Sequence, residues 1–364
     1  MKNLKINKII ISIIIILNIL SVTSFASISE DEENRAGDIF YSKMFNTGEV
    51  ITNENNLYNV MLKFRSGNVI NYLKDPSQRK YKFVLVNDNE SVNAFSTPGK
   101  YVYTTTKIWS FIHSDSEMNF ILGHEVGHVK NKHFVKQVDY NNFLKGDPNK
   151  AVKTAEFSRD LEREADKFGF EVLSNDVCFN VAAGMSFFKR LHDDVEANQY
   201  NGPSIYADHP EVLERLNTQL QYISTYSDNL VNVINDKVYF NGKYIETGYV
   251  VKSHSNVYVH DKTTYDTAYD IAGILARGYH DNKSEMTLTY YTDKDKLLIN
   301  GNAYDDNTIK CLGRKDELVY NIKKAVQSAG IKFNYIEKED KPAENHRFGN
   351  HEVGENVLFV KSRV

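Results

Sequence analysis

The stretch SDSEMNFILGHEVGHVKNKH, residues 114–133, carries a helix signature and a metal signature together. Ser114 followed by Glu117 has the form of a capping box, in which the hydroxyl and the carboxylate each satisfy a backbone N–H of the first turn. Met118, Ile121, Leu122, Val126 and Val129 then recur at helical spacing, so the sequence predicts a helix that starts here and runs to about His133. His124 and His128 lie one turn apart on one face of it, where both imidazoles can reach a single metal ion. A zinc ion held there would lower the pKa of a bound water to about 7, and the neighbouring Glu125 is placed to take the proton as that water attacks a peptide carbonyl. Chance alone would give the His-Glu-x-x-His spacing in on the order of one chain in a hundred. A third ligand is needed to raise it above coincidence.

Metzincins carry that ligand on an extended motif, but Asn131 and Phe134 occupy the positions where such a motif needs glycine and histidine. His133, five residues past His128, points off the metal-facing side and reads as a surface histidine. A gluzincin takes a glutamate from a later helix, and SRDLEREAD, residues 158–166, offers one. Glu162 can ligate zinc, while Asp166, one turn further on, can accept the spare N–H of a ligand histidine. The competing reading of this segment is a solvated, salt-bridged face. Glu164, on the side opposite Glu162, fits that role.

Four segments in order resemble the zinc metallopeptidases of peptidase family M48, which include the HtpX-like envelope proteases and the CAAX prenyl proteases. They are Asn93 to Gly99 with the strand that follows, HEVGH at 124–128, Ser158 to Asp166 with Gly169, and His209-Pro210 with Arg215. Together they cover residues from about 30 to 225. The resemblance implies an α+β chain with a mostly helical gluzincin-type domain and a small sheet. It implies zinc as cofactor, Glu162 as third ligand and Asp166 as the partner of a ligand histidine. It also places His209 and Arg215 near the metal, where they would stabilise the oxyanion or occupy the open coordination position; an ordinary helix-entry histidine before Pro210 is the other reading of His209. Gly99, Lys100, Tyr101, Val102 and Tyr103, with Asn93, become an edge strand beside the cleft, against which an extended polypeptide substrate can pair. The chain lacks the membrane bundle of the embedded members, so it looks closer to the soluble exported ones.

The remaining sequence sets the context. A chain of 364 residues, 25% charged and 41% hydrophobic, is ordinary for a folded protein and long enough for two domains. Its net charge of -4 gives no basic footprint for nucleic acid. Lys2, Lys5 and Lys8, the apolar run Ile9 to Leu20 and then Ser24-Phe25-Ala26 have the layout of a secretory signal peptide over 1–26; an uncleaved N-terminal anchor is the alternative. Export is the expected location, with the mature protein secreted, periplasmic or associated with the cell envelope. Cys178 and Cys311 can form one bridge or remain two buried thiols.

Residues 27–228 are expected to form the metallopeptidase domain and 229–364 a smaller β-rich α+β domain. Tyr81 to Val86, Tyr101 to Thr106 and the turn signal between them predict a small sheet or hairpin in the first. In the second, Asn241-Gly242 and Asn300-Gly301 are hairpin signals, each following a β-prone run and preceding a helical pattern, Tyr265 to Leu275 and Leu318 to Ser328. That order suggests a twofold repeat, weakly similar to copper-amine-oxidase N-terminal-like repeats, with a binding, positioning or envelope-attaching role and no copper ligands. His351-Glu352-Val353-Gly354-Glu355 imitates the metal motif but has Glu355 where the second histidine belongs. Two functions follow: an endopeptidase acting on misfolded or exported proteins, or a surface binding protein with a latent metallopeptidase domain. The presence of Glu125 favours the first, because a structural zinc site needs no base.

Overall fold

The computed structural model describes residues 28–176, 179–196, 212–246, 251–252, 264–300, 308–311 and 313–339. The signal segment, Cys178, the His209-Pro210 pair, Gly301 and the imitation motif at 351–355 lie outside the described residues.

Helices α1 (Glu30–Asn46) and α2 (Leu57–Leu73) precede three strands, β1 (Lys82–Val86), β2 (Ala94–Thr97) and β3 (Tyr101–Thr105). The strand order is β1-β3-β2, with β3 parallel to β1 and antiparallel to β2. Tyr101 to Thr105 is therefore the central strand, not the edge that the sequence reading made of Gly99 to Tyr103. The turn at Pro98 explains the difference. Gly99 and Lys100 adopt φ of 78° and 64° and fold Ala94 to Thr97 back on one side of β3, while β1 pairs along the other. Both ladder edges of β3 are thus filled, and among the described residues the outer edge of β2 has no strand partner, while residues 49–51 bond to the outer side of β1.

Ser114 caps α4 (Asp115–Lys130), its hydroxyl accepting the Glu117 N–H at 3.2 Å, after the short helix α3 (Thr106–Phe111). The helix stops at Lys130 rather than His133. Lys132 takes φ 55°, a left-handed residue that turns the chain so that His133 opens a new helix, α5 (His133–Phe143). Next comes α6 (Lys150–Asn175), which packs on α4 at glycine contacts. A Cβ on Gly123 would sit 3.0 Å from Gly169 Cα, and one on Gly169 would sit 2.8 Å from the Phe120 carbonyl oxygen. Only glycine admits such an approach, which brings the histidine helix and the glutamate helix into register.

Helices α7 (Ala183–Glu196) and α8 (Val212–Tyr226) complete the helical part. The strands β4 (Val231–Ile234), β5 (Lys237–Phe240) and β6 (Lys243–Tyr244) form an antiparallel meander. At the Asn241-Gly242 turn both residues have positive φ, 49° and 71°, as a two-residue hairpin of this kind requires. A five-stranded mixed sheet has the order β11 (Lys332–Lys338), β8 (Glu285–Tyr291), β9 (Lys296–Ile299), β10 (Thr308–Lys310), β7 (Val251–Lys252). Two helices, α9 (Thr264–Asp281) and α10 (Lys315–Ser328), follow the two Asn-Gly positions as the sequence predicted. The chain is α+β.

One apolar core runs through both regions, joining Phe120, Phe187 and Phe188 to Phe240, Ile271 and Leu275. A polar clamp reinforces it. The buried Arg277 of α9 donates to the carbonyls of Leu173 (2.8 Å), Ser174 (2.8 Å) and Asp176 (3.1 Å) and to the Tyr226 hydroxyl (2.9 Å). A cation is thereby fixed at the C-terminal end of α6, where the helix dipole is negative and the last carbonyls lack helical partners. Arg277→Met keeps much of the stem but removes these bonds, and is expected to cost about 2–4 kcal/mol. Urea unfolding checks this; an unchanged midpoint would show that the clamp contributes nothing.

Candidate active site

The close packing of α4 on α6 gathers His124, His128 and Glu162. His124 Nε2 lies 3.0 Å from His128 Nε2. Glu162 Oε2 is 3.5 Å from the former nitrogen and Glu162 Oε1 is 3.4 Å from the latter. The three residues form a group that can hold a metal ion. Two imidazole nitrogens with a carboxylate match the donor set of a catalytic zinc site, in which three protein ligands leave a position open.

Helical spacing explains the assembly. His124 and His128 are one turn apart on α4, and Glu162 and Asp166 are one turn apart on α6. Asp166 is fully buried and its Oδ1 lies 2.8 Å from His124 Nδ1, the ring nitrogen turned away from the cluster. That contact orients the ring and selects the tautomer that leaves Nε2 free for metal. Arg215, on α8, closes the back of the site. Its Nε and one terminal nitrogen donate to the two oxygens of Asp166 at 2.8 and 2.6 Å, and its other terminal nitrogen is 3.4 Å from Glu162 Oε2. The guanidinium also covers the Phe188 ring at 4.3 Å. Burial by itself would raise the Asp166 carboxyl, but the Arg215 charge and the His124 hydrogen bond outweigh it and hold the group below the ordinary aspartate range.

Glu125 is buried beside the cluster, with Oε1 3.9 Å from His124 Nε2. Asn93, immediately before β2, is buried, and β2 packs against α4. Lys100 holds the hairpin turn through an ion pair with Asp75 at 2.5 Å, while Tyr101, Val102 and Tyr103 are buried within the sheet.

His133 departs most from expectation. It is 3% exposed and not a surface histidine. Its Nδ1 lies 2.9 Å from His128 Nδ1, and its Nε2 lies 3.1 Å from Glu164 Oε2, which also accepts from Lys136 Nζ at 2.9 Å. The left-handed turn at Lys132 is responsible: a helix continued through residue 133 would carry this side chain off the metal-facing side, whereas the break swings it back under His128. Sequence spacing misses the residue because the spacing argument assumes one unbroken helix. Burial holds the His133 imidazole below its usual pKa despite the Glu164 carboxylate, and the Lys136 ammonium is the main influence holding Glu164 low.

The sequence profile described as peptidase family M48 matches residues 64–145. The match spans α2 to α5, with both histidines and Glu125, and ends before Glu162, Asp166 and Arg215, which the fold alone brings to the same place. It supports a protease, and specifically a metallopeptidase, since the family is metal-dependent. A search of curated proteins returned no match.

Proposed function

We propose that this M48-type metallopeptidase is a zinc-dependent endopeptidase that is exported and acts on misfolded or extracytoplasmic polypeptides. The observation that carries the reading is the convergence of His124 Nε2, His128 Nε2 and the Glu162 carboxylate, with the buried Glu125 beside them. Zinc held by His124, His128 and Glu162 would supply Lewis-acid activation of water and of the scissile carbonyl. Glu125 acts as the general base and passes the proton on to the departing amine. Asp166 keeps the His124 ring in place, and Arg215 fixes both Asp166 and Glu162. With its guanidinium committed to carboxylates, Arg215 acts on the ligands rather than on the substrate. His209 keeps the role that the family resemblance gives it, at the oxyanion or at the open position.

The strand offered to the substrate is β2. Among the described residues no strand pairs with its outer edge, and it packs on the histidine helix. An extended polypeptide adding there would be held by main-chain hydrogen bonds, which gives loose sequence preference. Export rests on the layout of residues 1–26, and residues 229–364 are read as a positioning or envelope-attaching domain. The test is casein turnover. Zinc-loaded protein should cleave it, lose activity to a chelator and regain it with zinc. Failure of the zinc-loaded protein to cleave would favour the latent binding protein instead.

A further inference from the structure

We propose that His133 is a positioning residue for the metal centre, holding His128 in one tautomer and one ring orientation through a hydrogen-bonded chain anchored on Glu164. This rests on the reading of His128 as a metal ligand. The two ligand histidines face the same physical problem. Each must present Nε2 to the ion while its Nδ1–H finds an acceptor, or the ring can rotate and the other tautomer competes. For His124 the acceptor is Asp166. For His128 the nearby acceptor is the Nδ1 of His133, at 2.9 Å.

That contact fixes the direction of every proton in the chain. When His128 binds metal through Nε2, its proton resides on Nδ1, so His133 Nδ1 must accept. The proton of neutral His133 is then on Nε2, which points at Glu164 Oε2, 3.1 Å away. Glu164 is ionised beside Lys136, whose ammonium donates to the same oxygen at 2.9 Å. Ligand imidazole, second imidazole, carboxylate and ammonium thus form one directed relay. Glu164 accordingly does more than a solvated helix-face charge would, acting on the metal through two intervening rings. Among the described residues, the titratable groups acting on His133 are His128 and His124 from α4, Glu164 from α6 and Lys136 from its own helix.

Competition with a chromogenic chelator measures zinc affinity without reference to catalysis. His133→Phe preserves the ring volume and removes both nitrogens; it should weaken zinc binding by about 10–100-fold, the usual cost of losing an outer partner of a ligand histidine. His133→Asn places an amide oxygen near the lost Nδ1 and should recover much of that loss. In the cobalt-substituted protein, the visible absorption bands should shift in His133→Phe and return towards wild type in His133→Asn. Glu164→Ala, at a half-exposed position that tolerates truncation, should weaken zinc in the same direction and decides the matter if His133→Phe does not fold. Wild-type affinity in both His133→Phe and Glu164→Ala would overturn the proposal, as would equal weakening in His133→Phe and His133→Asn. A wild-type protein that binds no zinc would instead overturn the metallopeptidase reading itself, so the two failures are distinct.

Discussion

Glu125→Gln should retain zinc and a normal unfolding transition while cleaving casein about 10²–10⁴-fold more slowly, the span associated with losing a positioned general base. The amide keeps the volume and much of the hydrogen-bonding capacity of the carboxylate but cannot accept a proton at neutral pH. Glutamine is nearly isosteric with glutamate, so the buried position keeps its packing, and Glu125 Oε1 lies 3.9 Å from His124 Nε2, close to the ligands without being one of the three that converge. Metal content and proteolysis therefore separate in this variant. Near-normal casein turnover by zinc-loaded Glu125→Gln would refute the assigned base, and loss of zinc would place Glu125 among the ligands.

The second large effect is expected at Glu162. Glu162→Ala should lose zinc on dialysis against a modest chelator, because two imidazoles alone make a poor site and the substitution also changes the local charge. The Arg215 guanidinium now faces Glu162 Oε2 at 3.4 Å. Without that carboxylate, Asp166 and Glu125 are left to offset the buried cation near the histidines, and an incoming dication meets added repulsion. Metal analysis after dialysis decides the point. Retention of wild-type zinc by Glu162→Ala would remove Glu162 from the ligand set. Glu164→Ala provides the internal contrast: two residues away on the same helix, it should only weaken binding, since it reaches the metal through His133 and His128.

Local features were legible in advance. The cap at Ser114, the apolar repeat that follows, the one-turn spacing of His124 and His128, and the one-turn spacing of Glu162 and Asp166 are properties of short segments. A helix imposes them wherever it packs. The Asn241-Gly242 hairpin belongs to the same class, because its positive φ angles are required by the turn itself. The family resemblance and the one-turn spacing to Asp166 single out the Glu162 carboxylate, and its meeting with the two imidazoles follows from glycines that let α4 and α6 approach.

What the segments did not encode alone is which partner each one meets. The run from Tyr101 to Thr105 is an obvious strand, but its place in the centre of the sheet depends on β1 arriving from one side and β2 folding back on the other. Arg215 lies on a helix far along the chain from Asp166, and only packing closes that distance to a bidentate contact. His133 shows the limit most sharply. Its position five residues past His128 excludes it from the metal side of a continuous helix, and a single left-handed residue at Lys132 reverses that conclusion. The sequence by itself determined where the helix of the two histidines begins, which chemical groups the two site helices carry and their order along each, because backbone geometry acts over a few residues. Only the tertiary structure decided that Tyr101 to Thr105 lies in the middle of its sheet and that His133 and Arg215 touch the ligand cluster as they do, because those outcomes depend on packing between segments far apart in the chain.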